Sequence, residues 1–263
     1  MKLLLIFPAL GLFWPTTPPA TAITPAPLAV QDTATQVYER LTAEVDAAYK
    51  EWRETLTELR KAASESGEEV PAEAWVRPYG PFIPKFLAAA DTYAGTEDAV
   101  PFLTWVVQNG FGVDDEQAKD TFRKLVDVHV ASPQLEPLGS FFGQLGYYFD
   151  EKEAASLVAT IEKGTPSDTL RAWAVYSRCS ATLEKADIES DEFLKAKGEV
   201  LAALEKASDK RLASEAKGQI DVRETFSIGM VAPDIAGIDL DGTKFALSDY
   251  KGKVLFVDFW GDW

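Results

Sequence analysis

Val254-Leu255-Phe256-Val257-Asp258-Phe259-Trp260-Gly261-Asp262-Trp263 closes this 263-residue chain. Four apolar residues, one carboxylate and two further aromatics make a run that wants both faces covered, the pattern of a central strand in a sheet flanked by helices. Only one earlier stretch can pair with it, a two-residue hairpin centred on Asp241-Gly242, and no later strand or crossover helix is available. The expectation is a chain cut short inside its functional domain.

Three more groups of residues lead up to that run in order: Gly229-Met230-Val231-Ala232-Pro233-Asp234-Ile235, Asp239-Leu240-Asp241-Gly242 and Leu247-Ser248-Asp249-Tyr250-Lys251-Gly252-Lys253. With Val257-Asp258-Phe259-Trp260-Gly261-Asp262-Trp263 they resemble the opening of the thioredoxin-like redoxin family. That family includes exported thiol-disulfide oxidoreductases and the alkyl hydroperoxide reductase and thiol-specific antioxidant group. The resemblance covers about the last seventh of the chain. It implies a Cys-x-x-Cys pair directly after Trp263, so the nucleophile lies outside the sequence and the fragment itself is expected to be inactive.

The same resemblance implies roles for the residues that are present. Asp258, inside an apolar strand, is costly to ionise, so its pKa should rise. By resemblance it is the candidate catalytic proton acceptor, taking a proton from the second cysteine while a disulfide is reduced. Trp260 and Trp263 would flank the pair. The ordinary alternative for Asp258 is a strand-end carboxylate bonded to a nearby backbone amide.

The N-terminus reads as an export signal. Lys2 supplies the positive region, Leu3 to Trp14 an apolar stretch, and Ala20-Thr21-Ala22 a small-residue cleavage site at Ala20 and Ala22. An apolar stretch interrupted by Pro8 falls short of the ~20 residues that span a bilayer. The mature chain is therefore expected to hold no stable membrane span and to be periplasmic or extracellular, anchored to a membrane only if the signal is retained. Residues 23–31, with Pro25 and Pro27, read as a linker.

From 32 to 224 the pattern is helical. A cap at Asp32 or Thr33 opens a helix of about thirty residues, its apolar stripe carried by Val37, Leu41, Val45, Ala48, Trp52, Leu56 and Leu59. Prolines and glycines between Ser64 and Pro84 break it. The aromatics there, Trp75, Tyr79 and Phe82, suit either a loop folded back on the helices or a docking groove. Periodicity returns over Phe86 to Tyr93, Ala99 to Val107 and Ala118 to Val130. Short helices then follow from Pro137 to Ile220, one of them opened by Thr165-Pro166-Ser167-Asp168 with Thr165 as the expected cap. They suggest antiparallel helical hairpins, although no clean repeat of fixed period stands out.

The fold class is thus a mainly α N-terminal module followed by the incomplete start of an α/β thioredoxin-like domain, a β-hairpin plus a central strand. The domains expected are a signal at 1–22, a linker at 23–31, a helical domain at 32–224 and the redoxin segment at 225–263.

With 42 acidic and 26 basic residues and a net charge of −16, the chain is a poor match for nucleic acid or anionic membranes. Hydrophobic residues at 46% are ample for a packed core. Cys179, the one cysteine, shares a helical face with Trp173 and Tyr176 and reads as a buried apolar thiol. His129 has no second histidine to complete a metal site, and no cofactor motif occurs. The expected function of the whole protein is disulfide reduction, with protein or small-molecule disulfides and thiols as substrates and a partner of unknown identity for the helical module. A thiol peroxidase is the alternative, as is a non-catalytic interaction protein with a degenerate redoxin stretch.

Overall fold

The helical order follows from local start and stop signals. In the computed structural model, which describes residues 32–258, the long helix α1 spans Ala34–Ser66. Thr33 caps it reciprocally: its Oγ1 accepts from the Gln36 amide at 3.3 Å, and the Gln36 carboxamide oxygen accepts from the Thr33 amide at 2.9 Å. Gly67 ends it in the left-handed region, φ 75°. Leu41 and Val45 on its stripe are buried. Trp52, Leu56 and Leu59 are only half-buried, and Trp52 is met by the 68–82 segment rather than by another helix.

That segment folds back along α1. The Trp52 indole donates to the Ala74 carbonyl at 2.8 Å, and the Arg60 guanidinium lies 5.9 Å from the centre of the Trp75 ring. Two 3-10 turns, Ala72–Trp75 and Gly80–Phe82, accommodate its prolines.

Helices α2 (Ile83–Thr92), α3 (Val100–Gly110) and α4 (Asp115–His129) follow. Phe86 stacks on Trp105 with ring centroids 3.8 Å apart, and Tyr38 of α1 meets Phe86 and Phe102 edge-on. Rings that bury ~150–250 Å² each, in stacked and edge-to-face contact, supply much of what holds these helices together. A second aromatic group, Phe111, Phe122, Phe141, Tyr148 and Phe149, joins α3 and α4 to a 3-10 stretch at Pro133–Gln144 and to α5 (Leu145–Tyr148).

Helix α7 (Asp168–Lys185) is the centre of the second half. It packs on the 133–144 stretch, on α6 (Glu151–Gly164), on α8 (Asp191–Leu204) and on α9 (Lys210–Phe226). Its expected stripe, Leu170, Trp173, Tyr176, Cys179 and Leu183, is buried throughout. Its cap corrects the sequence reading. Ser167, not Thr165, accepts from the Leu170 amide at 3.1 Å. Thr165 is taken by α6, whose last turn it closes through a bond from its own amide to the Ile161 carbonyl.

After α9 come β1 (Ala236–Ile238) and β2 (Lys244–Ala246), an antiparallel pair in the register Ala236↔Ala246, Gly237↔Phe245 and Ile238↔Lys244. The fold class is that of the expectation: nine α helices among the described residues, then a hairpin. Two local readings change. The turn is a three-residue loop, Leu240-Asp241-Gly242, because only Gly242 takes a positive φ (82°) and a two-residue type I′ turn needs two such residues. The Gly242 amide reaches the Asp239 carbonyl and the Asp239 amide the Thr243 carbonyl, the arrangement of a type I turn followed by a left-handed glycine.

The closing run is the second change. Residues 254–258 join no ladder and are exposed, Val254 at 100% and Phe256 at 95%. Strand pairing requires a neighbouring edge, and here the chain after β2 passes into the Leu247–Tyr250 turn and does not return alongside the hairpin.

Candidate functional site

The hairpin and its flanks, residues 229–258, hold most of the residues on which the redoxin resemblance rests, and three carboxylates shape them. Asp239 stabilises the loop from within, its Oδ1 accepting from the amides of Asp241 at 3.0 Å and Thr243 at 2.7 Å. Asp249 Oδ2 accepts from the Ala246 amide at 2.8 Å, so the turn after β2 is closed at its start. Asp234 reaches furthest along the chain. Its Oδ1 accepts from the Ser248 amide at 2.9 Å and its Oδ2 from the Ser248 hydroxyl at 2.7 Å. Those two bonds to the ionised form hold the Asp234 carboxyl below the usual carboxylate range.

Beside this clasp the Leu247 amide donates to the Ile235 carbonyl at 3.1 Å. The first and third motif groups are therefore brought together across the hairpin. In the sequence the two groups stand twelve or more positions apart with nothing to join them. An Asp and a Ser fourteen positions apart signal nothing until the register of the hairpin between them is known.

On one face of the hairpin Gly237 is covered by the Phe245 ring. A Cβ at Gly237 would lie 3.0 Å from Phe245 Cζ, so a side chain there would make the ring shift by a few tenths of an ångström. Beyond the hairpin the surface is unusually apolar. Thirteen of the nineteen large hydrophobic side chains exposed among the described residues lie between Val222 and Val257.

Among the described residues Asp258 is exposed and joins no strand. Trp260 and Trp263, like Ala20 and Ala22 at the expected signal cleavage site, lie outside the described residues.

The helical module holds the chain's one thiol. Cys179 on α7 is buried at 4% exposure. Burial pushes its pKa up, and the neighbouring Arg178 only partly opposes this. Arg178 is itself engaged by two carboxylates: Glu162 of α6 at 3.0 Å and Glu199 of α8 at 2.9 Å. The hydrogen bond to Glu162 raises the already high pKa of the guanidinium, so Arg178 remains a fixed cation tying three helices together. A protonated thiol under such a lid is a poor nucleophile.

His129, in the last turn of α4, is buried, as a structural histidine should be. Among the described residues no group of three or more His, Cys, Asp and Glu side chains is placed to hold a metal ion. Nor is any described helix long and apolar enough to cross a membrane.

Comparison with known proteins gives a short, specific match. A 47-residue stretch is 43% identical to the thiol-disulfide oxidoreductase ResA of Bacillus cereus (strain ATCC 10987 / NRS 248), covering 18% of this chain and 27% of that protein. Over 41 residues the identity is 49% with ResA of Geobacillus kaustophilus (strain HTA426) and 44% with ResA of Bacillus subtilis (strain 168). The chain thus spans about a quarter of the length of the curated relatives it matches. No protein-family model matches it, and no solved structure does.

Proposed function

We propose that this chain belongs to an exported thiol-disulfide oxidoreductase in which a helical domain, residues 32–224, precedes a thioredoxin-like segment starting near residue 225. One observation carries the reading. The motif groups that resemble the redoxin opening coincide with a hairpin closed by the Asp234–Ser248 clasp, in a chain that matches ResA proteins over 47 residues.

In the whole protein a cysteine pair after Trp263 would carry the chemistry. The thiolate of the first cysteine attacks a substrate disulfide and expels one substrate thiolate. The second cysteine, deprotonated with Asp258 as acceptor, attacks the mixed disulfide and releases the other. Substrates on this reading are protein or small-molecule disulfides. Export rests on Lys2, the apolar stretch to Trp14 and the small residues Ala20 and Ala22. It predicts a mature N-terminus at Ile23, to be read by N-terminal sequencing of the exported protein.

The decisive experiment is to read the coding sequence past codon 263 and assay its complete product for insulin disulfide reduction. Cys-x-x-Cys together with turnover supports the reductase. A single cysteine with hydroperoxide-dependent thiol oxidation makes the protein a peroxidase. A stop codon sinks catalysis and leaves an interaction protein.

A further inference from the structure

The helical module carries a hollow whose lining differs from the rest of this acidic surface. It lies between the folded-back segment and the end of α3, has a volume of about 330 Å³, and is lined by residues 75–77 and 79 on one side and 108, 109 and 111–113 on the other. Its volume is at the lower end for ligand sites, room for one large side chain and its adjoining backbone.

Three properties make it more than a gap. The first is apolar exposure. Among residues 33–221, six large hydrophobic side chains are exposed, and three of them, Trp75 (52%), Val76 (59%) and Val113 (37%), line this one hollow. The second is rigidity. The Trp52 indole pins Ala74, prolines at 71, 78 and 81 stiffen the segment, and Asp115 Oδ1 accepts from the Gly112 amide at 2.7 Å to fix the opposite rim. An exposed aromatic on a stiff wall costs little entropy to engage.

The third is charge. In a chain of net charge −16, the lining contains no carboxylate and one cation, Arg77. Burial raises the Tyr79 pKa and the charge of nearby Arg77 opposes it, which places the exposed guanidinium beside the phenol at the edge of the hollow. Beside it, the Asn109 amide nitrogen is committed to the Trp105 carbonyl at 2.9 Å, which leaves the Asn109 carbonyl oxygen as the group able to accept from a ligand.

We propose that this hollow binds a polypeptide segment that places an aromatic or large apolar side chain next to a carboxylate. The ring packs against Trp75, Tyr79 and Val113, the carboxylate pairs with Arg77, and a peptide N–H of the segment donates to Asn109. The aromatic wall explains the side chain, and Arg77, the one charged residue of the lining once the Asp115 carboxylate at the rim is taken by the Gly112 amide, explains the acid. This binding does not depend on the redox reading and is tested without it.

The test uses the 263-residue chain and fluorescence anisotropy with three labelled nonapeptides of Gly and Ser, centred on Glu-Phe-Asp, Lys-Phe-Lys or Glu-Ser-Asp. The first should bind at least about tenfold more tightly than either of the others. Arg77→Glu and Trp75→Ala, both at exposed positions and checked for helicity by circular dichroism, should each weaken it about tenfold. Leu194→Ser, exposed on α8, should leave it unchanged. Equal binding of the Lys-flanked peptide, or no effect of Arg77→Glu, overturns the proposal. So does concentration-dependent dimerisation abolished by Trp75→Ala, which would make a second copy the occupant.

Discussion

Gly139 and Asp209 show how single residues fix the centre of the helical module, both through Trp173. A Cβ at Gly139 would sit 2.3 Å from Trp173 Cδ1, a contact no rotamer of the alanine can relieve. Gly139→Ala should therefore cost ~1–3 kcal/mol through overpacking. Thermal denaturation would register this as a fall in Tm of about 2–4 °C per kcal/mol in a domain of this size. On the opposite side the Trp173 indole donates to Asp209 Oδ2 at 3.0 Å, while Asp209 Oδ1 caps α9 through the Arg211 and Leu212 amides. Desolvation works to raise the Asp209 pKa, but the three hydrogen bonds together outweigh it and the net shift is downward. With the folded pKa below the unfolded value, the stabilisation is present above the ordinary carboxylate range and is lost as pH falls through the folded pKa. Asp209→Ala should cost about 1 kcal/mol at neutral pH, and the difference from the parent should shrink below about pH 4. A pH-independent difference in urea midpoints would contradict this. The face shared by Trp173, Tyr176 and Cys179 was legible from helical spacing alone. That Gly139 and Asp209 would meet Trp173 was not, since neither is near it in sequence.

At the scale of elements, the helices and the hairpin differ in what holds them. Helix α7 is covered on several sides by α6, α8, α9 and the 133–144 stretch, so opening it exposes buried apolar surface. The hairpin has two three-residue strands, a length at which an isolated pair is marginal in water. Its order rests on side-chain bonds to turns, above all the Asp234–Ser248 clasp. Native-state hydrogen exchange should therefore show amides of 236–246 exchanging far faster than those of 172–183, and Ser248→Ala should accelerate the hairpin amides further while leaving α7 unchanged. Equal protection of the two would mean that the helical module covers the hairpin. Alternation and the Asp-Gly pair announced a hairpin in the sequence. The loop length was misread because it depends on which residue takes the left-handed conformation, here Gly242 alone. Likewise Thr165 looked like a cap for α7 but ends α6, a competition between adjacent elements that a window on one of them does not reveal.

For the whole molecule, the distribution of chemistry is lopsided. The thiol is sealed inside the helical module, whereas the apolar exposure is concentrated from Val222 onward. The 263-residue chain should accordingly show no insulin disulfide reductase activity, and Cys179 should react with an aromatic disulfide reagent only on unfolding. Rapid labelling of the native chain would show that the Arg178 lid opens. The hollow at Arg77 is lined by one cation and no acidic residue in a chain of net charge −16.

The sequence by itself determined the helical character of the first domain, the apolar stripes of α1 and α7, the interior place of Cys179, the presence of a hairpin and the resemblance of the final residues to the redoxin opening. These are local properties, written in spacings of three and four residues, in turn chemistry and in short motifs. Only the tertiary structure decided that Ser248 clasps Asp234, that Trp173 rests on Gly139, that Trp75, Arg77 and Val113 share one hollow, and that Val254 to Asp258 stand outside any sheet. Each of these depends on segments distant in sequence meeting in one register, which costs chain entropy and is fixed by packing rather than by any single stretch.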